Sequence, residues 1–369
     1  GISVINSPNN LLNNNTAINN SDGFYLFQSD NTTISNSTAS DNANNGLNIA
    51  YTNNVTIFND TITNNSENGI YLNHSTLVNI TGSTISGNTL SGIELDESNQ
   101  VNIIDNNMSY NEKSGLTLNN TSDINVIRNN ASYNGLSGLS FENVTRLNIT
   151  DNIVTYNELC GICMDNSEDN VISGNNASYN KLSGINLTNS SGNSLTDNIA
   201  FNNSANGIYL SNSSNGNDIN DNIVGYNNQS GILIEDSSQN NLTNNTAYGN
   251  GQAGFSLVNT SHTNVNDSVS YGNDVGIEVI NSTYTGIFNN TVYDNSYYGV
   301  NISESEHTVM RNTTISNNTY NFKVDGSSDE KFYHDIDTSN TVNGSIIYYY
   351  TNSSNITLDD SSNAGTVYC

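Results

Sequence analysis

Three cysteines carry the most reactive side chains of this 369-residue chain, namely Cys160, Cys163 and Cys369. Cys160 and Cys163 form a Cys-x-x-Cys pair, a spacing that serves as a local disulfide, a redox pair or half of a zinc site. The sequence has no second pair that would complete four zinc ligands. An odd number of cysteines in an exported protein indicates a bond between chains or a free thiol.

We therefore expect a disulfide cross-link between subunits, through Cys369 or through the central pair. The alternative is a local bridge between Cys160 and Cys163 with one spare thiol. A local bridge needs the two Cα atoms within about 7 Å of each other, which would strain an extended strand. Both interpretations stay open at this level.

Asparagine is the second residue whose spacing predicts chemistry, because Asn-x-Ser/Thr is the acceptor sequence of N-glycosylation. The chain contains about thirty of these sequons. A composition rich in Asn, Ser and Thr produces most of them by chance. In an exported protein some are nonetheless expected to carry covalent glycans on outward-facing turns. The candidates are Asn31, Asn36, Asn54, Asn79, Asn107, Asn130, Asn143, Asn176, Asn212, Asn281, Asn312 and Asn355.

Residues that hold soft metals or transfer protons are sparse. The four histidines are scattered along the chain and the three methionines form no cluster, so no soft-metal site can be assembled by spacing. Dispersed Asp and Asn oxygens predict at most weak calcium binding. The one Asp-Asp pair, Asp359 and Asp360, lies in an irregular tail, and the seven basic residues are spread out. Since polysaccharide hydrolysis needs clustered carboxylates, the sequence predicts no enzyme, no catalytic residue and no cofactor.

The charge of the chain excludes some partners. The sequence has 35 Asp and Glu against seven Lys and Arg, for a formal net charge of −28. Nucleic acids and anionic lipids depend on basic contacts, so neither is an expected partner. No apolar run approaches the roughly 20 residues that span a bilayer.

A repeat of 23 residues must position all of these groups. A glycine followed by an apolar residue marks it at Gly23, Gly46, Gly69, Gly92, Gly115, Gly138, Gly161, Gly184 and Gly207, and then, with one-residue slips, at Gly231, Gly254, Gly276 and Gly299. Apolar and polar residues alternate after the glycine, and two further apolar positions follow in each repeat, which indicates three short strands per repeat. The sequence predicts an all-β, three-sided parallel β-helix of about 14 coils over residues 1–320, followed by a β segment over 321–369 that caps the helix or joins subunits.

One asparagine recurs as regularly as the glycine. Stacked about 4.8 Å apart, its amides are expected to form a hydrogen-bonded ladder. The ladder residues are Asn88, Asn111, Asn134, Asn157, Asn180, Asn203, Asn227 and Asn250, with counterparts at Asn42, Asn65, Asn273, Asn295 and Asn318. Aromatic residues precede many of them, at Tyr110, Tyr133, Tyr156, Tyr179, Tyr226, Tyr271 and Tyr293, with Phe201 in the same place. We expect these rings to pack along a ridge, with sugar binding as the alternative.

The tail carries a more specific resemblance. Residues 337–350 and 363–368 are similar to segments that join β-helical stretches in parallel β-helix repeat proteins of archaeal cell surfaces. Those proteins are related to the periplasmic copper-binding proteins that help mature nitrous-oxide reductase. The resemblance implies a right-handed β-helix in a secreted or surface-anchored archaeal protein. It does not securely imply copper, because the histidines are scattered.

These patterns predict a structural subunit of an archaeal extracellular sheath, surface layer or filament. The subunit is expected to bind copies of itself through β-helix ends and faces, with the strand near 365–368 stacking on residues 1–5 of a neighbour. Other envelope proteins or polysaccharide are further expected partners. A carbohydrate-binding surface adhesin is the first alternative, and a β-helix enzyme of the polysaccharide lyase or hydrolase type is the second.

Overall fold

The computed structural model describes residues 1–351, 353–359 and 361–369. Its backbone contacts group into two compact units, Gly1–Asn186 and Leu187–Cys369. Nearly every regular element is a short β-strand. Within the described residues, no helix has the length and apolarity needed to cross a membrane.

The first unit consists of strands that follow one another at short corners. They are β1 (Ile2–Ile5), β2 (Leu11–Asn13), β3 (Thr16–Ile18), β4 (Phe24–Phe27), β5 (Thr33–Ser35), β6 (Thr38–Ser40), β7 (Leu47–Ala50), β8 (Thr56–Phe58), β9 (Thr61–Thr63), β10 (Ile70–Asn73), β11 (Thr76–Thr81), β12 (Thr84–Ser86), β13 (Ile93–Asp96), β14 (Asn99–Ile104), β15 (Leu116–Asn119), β16 (Asn125–Ile127), β17 (Leu139–Glu142), β18 (Asn148–Thr150), β19 (Ile162–Asp165) and β20 (Val171–Ser173). The next strand, β21 (Ile185–Thr188), falls at the division between the units.

The second unit continues the series. Its strands are β22 (Ser194–Thr196), β23 (Ile199–Phe201), β24 (Ile208–Ser211), β25 (Asp218–Asn220), β26 (Ile223–Gly225), β27 (Ile232–Glu235), β28 (Asn241–Thr243), β29 (Thr246–Tyr248), β30 (Ala253–Val258), β31 (Asn264–Asn266), β32 (Val269–Tyr271), β33 (Val275–Ile280), β34 (Gly286–Phe288), β35 (Thr291–Tyr293), β36 (Tyr298–Ser303), β37 (Val309–Arg311), β38 (Thr314–Ser316), β39 (Tyr320–Asp325), β40 (Asp335–Ile336), β41 (Thr341–Val342), β42 (Ser345–Tyr349) and β43 (Ala364–Tyr368), with a short 3₁₀ helix at Asp329–Phe332.

Each strand from β1 to β41 pairs in parallel with an equivalent strand one coil away. In the first unit Ile70 lies opposite Ile93 and Leu72 lies opposite Leu95. In the second unit Ile208 lies opposite Ile232. The strands lie on three sides of each coil. The first sheet begins with β1, β4 and β7, the second begins with β2, β5 and β8, and the third side carries two sheets, one of four strands (β3 to β12) and one of nine (β23 to β43). The inward apolar rows of these strands are almost completely buried. This arrangement confirms the predicted all-β parallel β-helix.

The repeated glycine is required by close packing against the asparagine ladder. A Cβ atom on Gly46 would lie 2.7 Å from the carbonyl oxygen of Gly69 and 2.8 Å from Nδ2 of Asn65. Any side chain would therefore push the coils apart or displace the ladder amide.

The ladder itself is present. Nδ2 of Asn157 donates to Oδ1 of Asn180 at 3.0 Å, and the same bond links Asn88 to Asn111 and Asn227 to Asn250. These side chains are buried, and their backbone N–H groups bond to the next amide as well. Sequence reasoning found one ladder, whereas the structure has similar amide ladders at other corners, including Asn106, Asn129, Asn152 and Asn175, and Asn193, Asn217 and Asn240.

Corners follow one rule throughout both units. A residue with positive φ turns the chain, and the next residue points inward. Asn59, with φ of 55°, precedes the buried Asp60, and Tyr110, with φ of 63°, precedes the buried Asn111. Most corner residues are Asn, Asp or Gly, which adopt the left-handed conformation at least cost.

The coil pattern extends beyond residue 320. Strand β39 pairs in parallel with β36, and β40 and β41 continue the second and third sheets to Val342. Strand β42 then reverses direction, and β43 pairs with it in parallel. Tyr368 lies against Phe322, with ring centroids 5.6 Å apart, so the tail covers the last coil of this unit.

Candidate functional site

Four tyrosines in the first unit form an exposed, stacked row. Tyr110, Tyr133, Tyr156 and Tyr179 occupy equivalent corners of successive coils, each with φ between 58° and 63°. Neighbouring rings are nearly parallel, with centroids 5.0, 4.9 and 4.8 Å apart. Their exposed fractions run from 46% to 62%. We call these four residues the tyrosine row.

The choice of tyrosine at these corners is not explained by stability. A left-handed conformation costs an L-residue with a large side chain roughly 1–2 kcal/mol. An aromatic pair returns about 0.5–1.5 kcal/mol beyond burial, and four residues form three pairs. At equivalent corners elsewhere the chain uses Asn64, Gly87 or Asn202, which avoid the cost. Unfavourable backbone conformations that persist in this way point to a functional role.

A groove runs beside the tyrosine row. The groove has a volume of about 380 Å³ and is lined by Tyr110, Tyr133 and Tyr156 together with Glu112 and Glu158. Gly135, at the position between the two glutamates, has no room for a side chain, because a Cβ atom there would lie 2.1 Å from the backbone carbonyl oxygen of Glu112. Glu158 is ion-paired with Lys181, with Oε2 and Nζ 2.6 Å apart. The groove thus combines phenol hydroxyls and ring edges with carboxylate acceptors.

Exposed leucines widen this surface. Leu136, Leu159 and Leu182 recur three residues after successive tyrosines of the row and are 36–46% exposed. In a chain that is only 34% hydrophobic, seven adjacent exposed apolar or aromatic side chains mark a surface that contacts another molecule.

A second aromatic row lies in the other unit, one residue off the predicted alignment. Tyr248, Tyr271 and Tyr293 end strands and stack at 5.1 and 5.0 Å, and they lie two residues before the ladder instead of one. Phe201 shares their position, whereas Tyr226 has the left-handed corner conformation. The single predicted row was therefore wrong, because the one-residue difference changes which way the side chain points.

The outward side of the first sheet carries a group of side chains that could transfer protons, which sequence reasoning missed. Asn73 Nδ2 donates to the Tyr71 hydroxyl at 3.3 Å and to Asp96 Oδ2 at 3.4 Å, and Glu94 lies opposite Tyr71. Burial raises the pKa of the Glu94 carboxyl, although a hydrogen bond from Asn68 and the charge of Lys113 oppose the shift. Because these residues are far apart in sequence, only the coil register of 23 residues could have revealed them.

The cysteines have the arrangement of the local alternative, which is a bridge between Cys160 and Cys163 with one spare thiol. Cys160 and Cys163 form a disulfide with Cα atoms 5.7 Å apart, and Cys369 is exposed and free. The expectation that the central pair bridges subunits is therefore wrong. Cys160 precedes strand β19 at the bend around Gly161, so the pair does not span a fully extended segment.

The predicted sequon residues all lie at the surface. None of the twelve candidates is buried: Asn79, Asn130 and Asn176 are half-buried and the other nine are exposed. Many sequons arise from the corner rule, since a left-handed Asn is followed by one inward residue and then by the Thr or Ser that starts the next strand, as in Asn36-Ser37-Thr38. This geometry explains the sequon density, and glycosylation stays a prediction.

Three solved structures are similar to this chain. The A-module of the mannuronan C-5 epimerase AlgE6 of Azotobacter vinelandii matches with a TM-score of 0.53 and 15% identity, covering 86% of this chain and 90% of the epimerase module. The AlgE4 A-module of the same organism matches at 0.48 and 17%, covering 86% of both chains. The Dettilon tailspike protein gp208 matches at 0.45 and 13%, covering 86% of this chain and 63% of the tailspike.

The expectation that the chain is not an enzyme is contradicted by this comparison. Mannuronan C-5 epimerases are enzymes and share this fold over most of the chain. At 15% identity the likeness itself establishes the fold alone.

Two family models match the sequence. One, described as right handed beta helix region, matches residues 75–169 and 157–270. The other, described as periplasmic copper-binding protein (NosD), matches residues 1–114 and 222–368. No curated protein matches the chain.

The residues that the structure describes do not fit a copper site. No three His, Cys, Asp or Glu side chains among them come together to hold a metal ion. Met108, Met164 and Met310 are buried in the core, and Cys160 is bonded to Cys163. The soft ligands that copper prefers are therefore dispersed or already used.

The family and the disulfide agree on location. The NosD description is periplasmic, and disulfides persist in oxidising compartments. Both are consistent with a site of action outside the cytoplasm. Because each model matches more than half of the sequence, the chain belongs to the right-handed β-helix proteins of the NosD family.

Proposed function

We propose that this protein binds a neutral polysaccharide outside the cytoplasm, along the groove beside the tyrosine row. The observation that carries the proposal is the stacking of four exposed tyrosines at successive left-handed corners, a backbone conformation that favours Asn or Gly over an aromatic residue. A role in binding accounts for a choice that stability does not.

The geometry of the groove suits a sugar polymer. The coil spacing of about 4.8 Å is close to the length of one sugar residue in an extended polysaccharide, so each coil offers one tyrosine per residue. Ring edges and the exposed leucines provide apolar contact, and Glu112 and Glu158 accept hydrogen bonds from hydroxyl groups. Gly87 precedes Tyr110 in the row, so no side chain at that position covers the outer face of Tyr110, the most exposed ring. That face can stack on a terminal sugar ring.

Charge selects among polysaccharides. The chain carries a net charge of −28, and the groove itself is lined by two carboxylates with one ion-paired lysine nearby. A polyanion would be repelled. The ligand we propose is therefore uncharged along most of its length.

The test is affinity electrophoresis and calorimetry with neutral polysaccharides and their oligosaccharides, using Tyr133→Asn and Tyr156→Asn. Asparagine favours the corner conformation, so these variants should fold at least as stably as the wild type while losing the rings. We expect binding to weaken roughly tenfold or more. Tyr51→Asn is the matched control, since Tyr51 is also an exposed corner tyrosine, with φ of 51°. Unchanged affinity in both groove variants would refute the proposal.

A second candidate function is a structural subunit of a cell-surface polymer such as a sheath, surface layer or filament. The exposed thiol of Cys369 favours it, because this thiol is available to bond a neighbouring copy. Glycans on the corner asparagines and an archaeal cell-surface setting belong to the same proposal. Analytical ultracentrifugation of the full chain, with and without reductant, would test it.

A further inference from the structure

A second polar site lies on the outward side of the first sheet in the unit Leu187–Cys369. Glu278, Asn301 and Lys323 occupy neighbouring strands β33, β36 and β39 in direct register. Asn301 Nδ2 donates to Glu278 Oε1 at 3.3 Å, and Lys323 Nζ lies 2.8 Å from Asp325 Oδ2. These are side chains that can both donate and accept hydrogen bonds.

Two acceptors at this site have no donor. Asn301 is 7% exposed, and within the described residues nothing donates to its Oδ1. Asp325 Oδ1 is likewise shielded from solvent without a partner within hydrogen-bond distance in the described part of the chain, while the side chain of Ser303, opposite it on strand β36, interacts with the same carboxylate. A buried acceptor normally has a hydrogen-bond partner, and an exception requires an explanation. Two of them, on adjacent strands, indicate a ligand that brings two donors.

Aromatic side chains lie beside Lys323. Lys323 Nζ lies 5.2 Å from the ring centroid of Tyr298. Tyr297 and Tyr320 pack against Tyr298 with centroids 4.2 and 5.5 Å away, and both are about half exposed. An apolar wall next to paired acceptors and an ammonium donor is what a sugar ring requires.

We propose that Asn301, Lys323 and Asp325 bind a neutral saccharide unit through a vicinal diol. One hydroxyl donates to Asn301 Oδ1, the other donates to Asp325 Oδ1, and both accept from Lys323. A free cation fits less well, because the Lys323 ammonium already lies beside Asp325. Lys323 is one-third exposed, so its ammonium group can be reached by a ligand from solvent. This site is independent of the tyrosine groove.

Saturation-transfer NMR and calorimetry of the full chain with methyl glucoside, methyl galactoside and methyl mannoside test the proposal. At least one glycoside should bind saturably, and its deoxy analogue that lacks one hydroxyl of the diol should bind roughly tenfold more weakly. Asn301→Leu should cause a similar loss. Asn48→Leu, in the same outward row of the other unit, should bind as the wild type does.

The outcomes separate the two sites. Tyr133→Asn should leave glycoside binding unchanged, even if polysaccharide binding is lost. A diol-containing polymer that binds this site only at its chain ends would compete with the glycosides through its terminal residues alone. A polymer that binds along its length would compete through every residue. Absence of saturable binding by all three glycosides overturns the proposal, as does equal affinity for the deoxy analogue. The comparison with the deoxy analogue uses the wild-type protein, so it tests the proposal even if Asn301→Leu does not fold.

Discussion

At the scale of single residues, the corner position decides most of what this chain presents to solvent. A left-handed residue and the inward residue after it appear at each corner, so the side chain before a ladder faces out while the ladder side chain is buried. Asparagine therefore has two different roles at a corner, and a shift of one residue along the chain decides which role it has. Asn36 is an exposed sequon acceptor, whereas Asn157 is a buried ladder amide.

Asp60 is a carboxylic acid at a ladder position, so its protonation makes the stability of the protein depend on pH. It is 2% exposed, and it accepts hydrogen bonds from the backbone N–H groups of Ser37 and Phe58 at 2.7 and 3.2 Å. Burial raises its pKa from 3.8 to about 6, against these hydrogen bonds. The folded state thus binds the proton more tightly than the unfolded state. The stability that protonated Asp60 contributes is fully present below pH 3.8 and is lost as pH rises through about 6.

We expect Asp60→Asn to stabilise the protein above pH 7 by up to about 3 kcal/mol and to have little effect at pH 4. The new amide can donate to the carbonyl of Ile34, as Asn106 Nδ2 donates to Ile80 at 2.9 Å. Urea denaturation at pH 4, 6 and 8 measures this. Asp41→Asn, at an exposed corner, is the control. A gain that does not depend on pH would contradict the assignment.

At the scale of elements, the ladders and the glycine rows hold the coils in register. Sequence alone gave the glycine period, the inward apolar rows and one ladder, because each of these uses the same residue type in nearly every coil. The other ladders were not recognised in the sequence because their rows contain several residue types. Val55, Val78 and Val101 precede Asn193 and Asn217 in one such row, so a block of apolar packing is followed by a block of amide bonding at a single structural position.

The candidate groove could be predicted only in part for the same reason. The tyrosine spacing is visible in the sequence, but the left-handed backbone that makes it costly is not. Glu112, Gly135 and Glu158 become one surface only when the coils stack. The Asn301 site depends on three strands and two unpaired oxygens, which no spacing reveals.

Removing a ladder amide should cost stability through its neighbours. Asn157→Ala removes the Oδ1 acceptor of the Asn134 side-chain amide and backbone N–H, and it removes the Nδ2 donor to Asn180 Oδ1 while the backbone N–H of residue 157 remains. We expect a loss of roughly 1–3 kcal/mol in the free energy of unfolding. Asn148→Ala is the matched control, because Asn148 is half-buried outside the ladder, donates to Asn125 over 3.4 Å and accepts from the Thr150 hydroxyl at 2.6 Å. Thermal or urea unfolding compares the two, and equal effects would mean that the ladder adds nothing beyond its surface counterpart.

At the scale of the whole molecule, charge and the free thiol govern association. A net charge of −28 opposes the approach of identical chains in dilute buffer. Salt screens this repulsion over a Debye length of about 10 Å at 0.1 M and about 3 Å at 1 M. Any association of copies should therefore strengthen as salt is added, whereas binding of a neutral polysaccharide should hardly change.

The last prediction concerns the covalent part of such an association. Cys160 and Cys163 are bonded to each other, so only Cys369 has a thiol that can bond to another chain. Under mild oxidant in moderate salt, the wild type should form a disulfide-linked dimer and nothing larger, because each chain contributes one thiol. Cys369→Ser should remain monomeric on non-reducing electrophoresis, and a Cys160→Ser/Cys163→Ser double variant should still dimerise. Covalent oligomers larger than a dimer in the wild type would show that the central disulfide exchanges with neighbours. If Cys369→Ser still forms linked dimers, the terminal thiol is not the one that joins the chains.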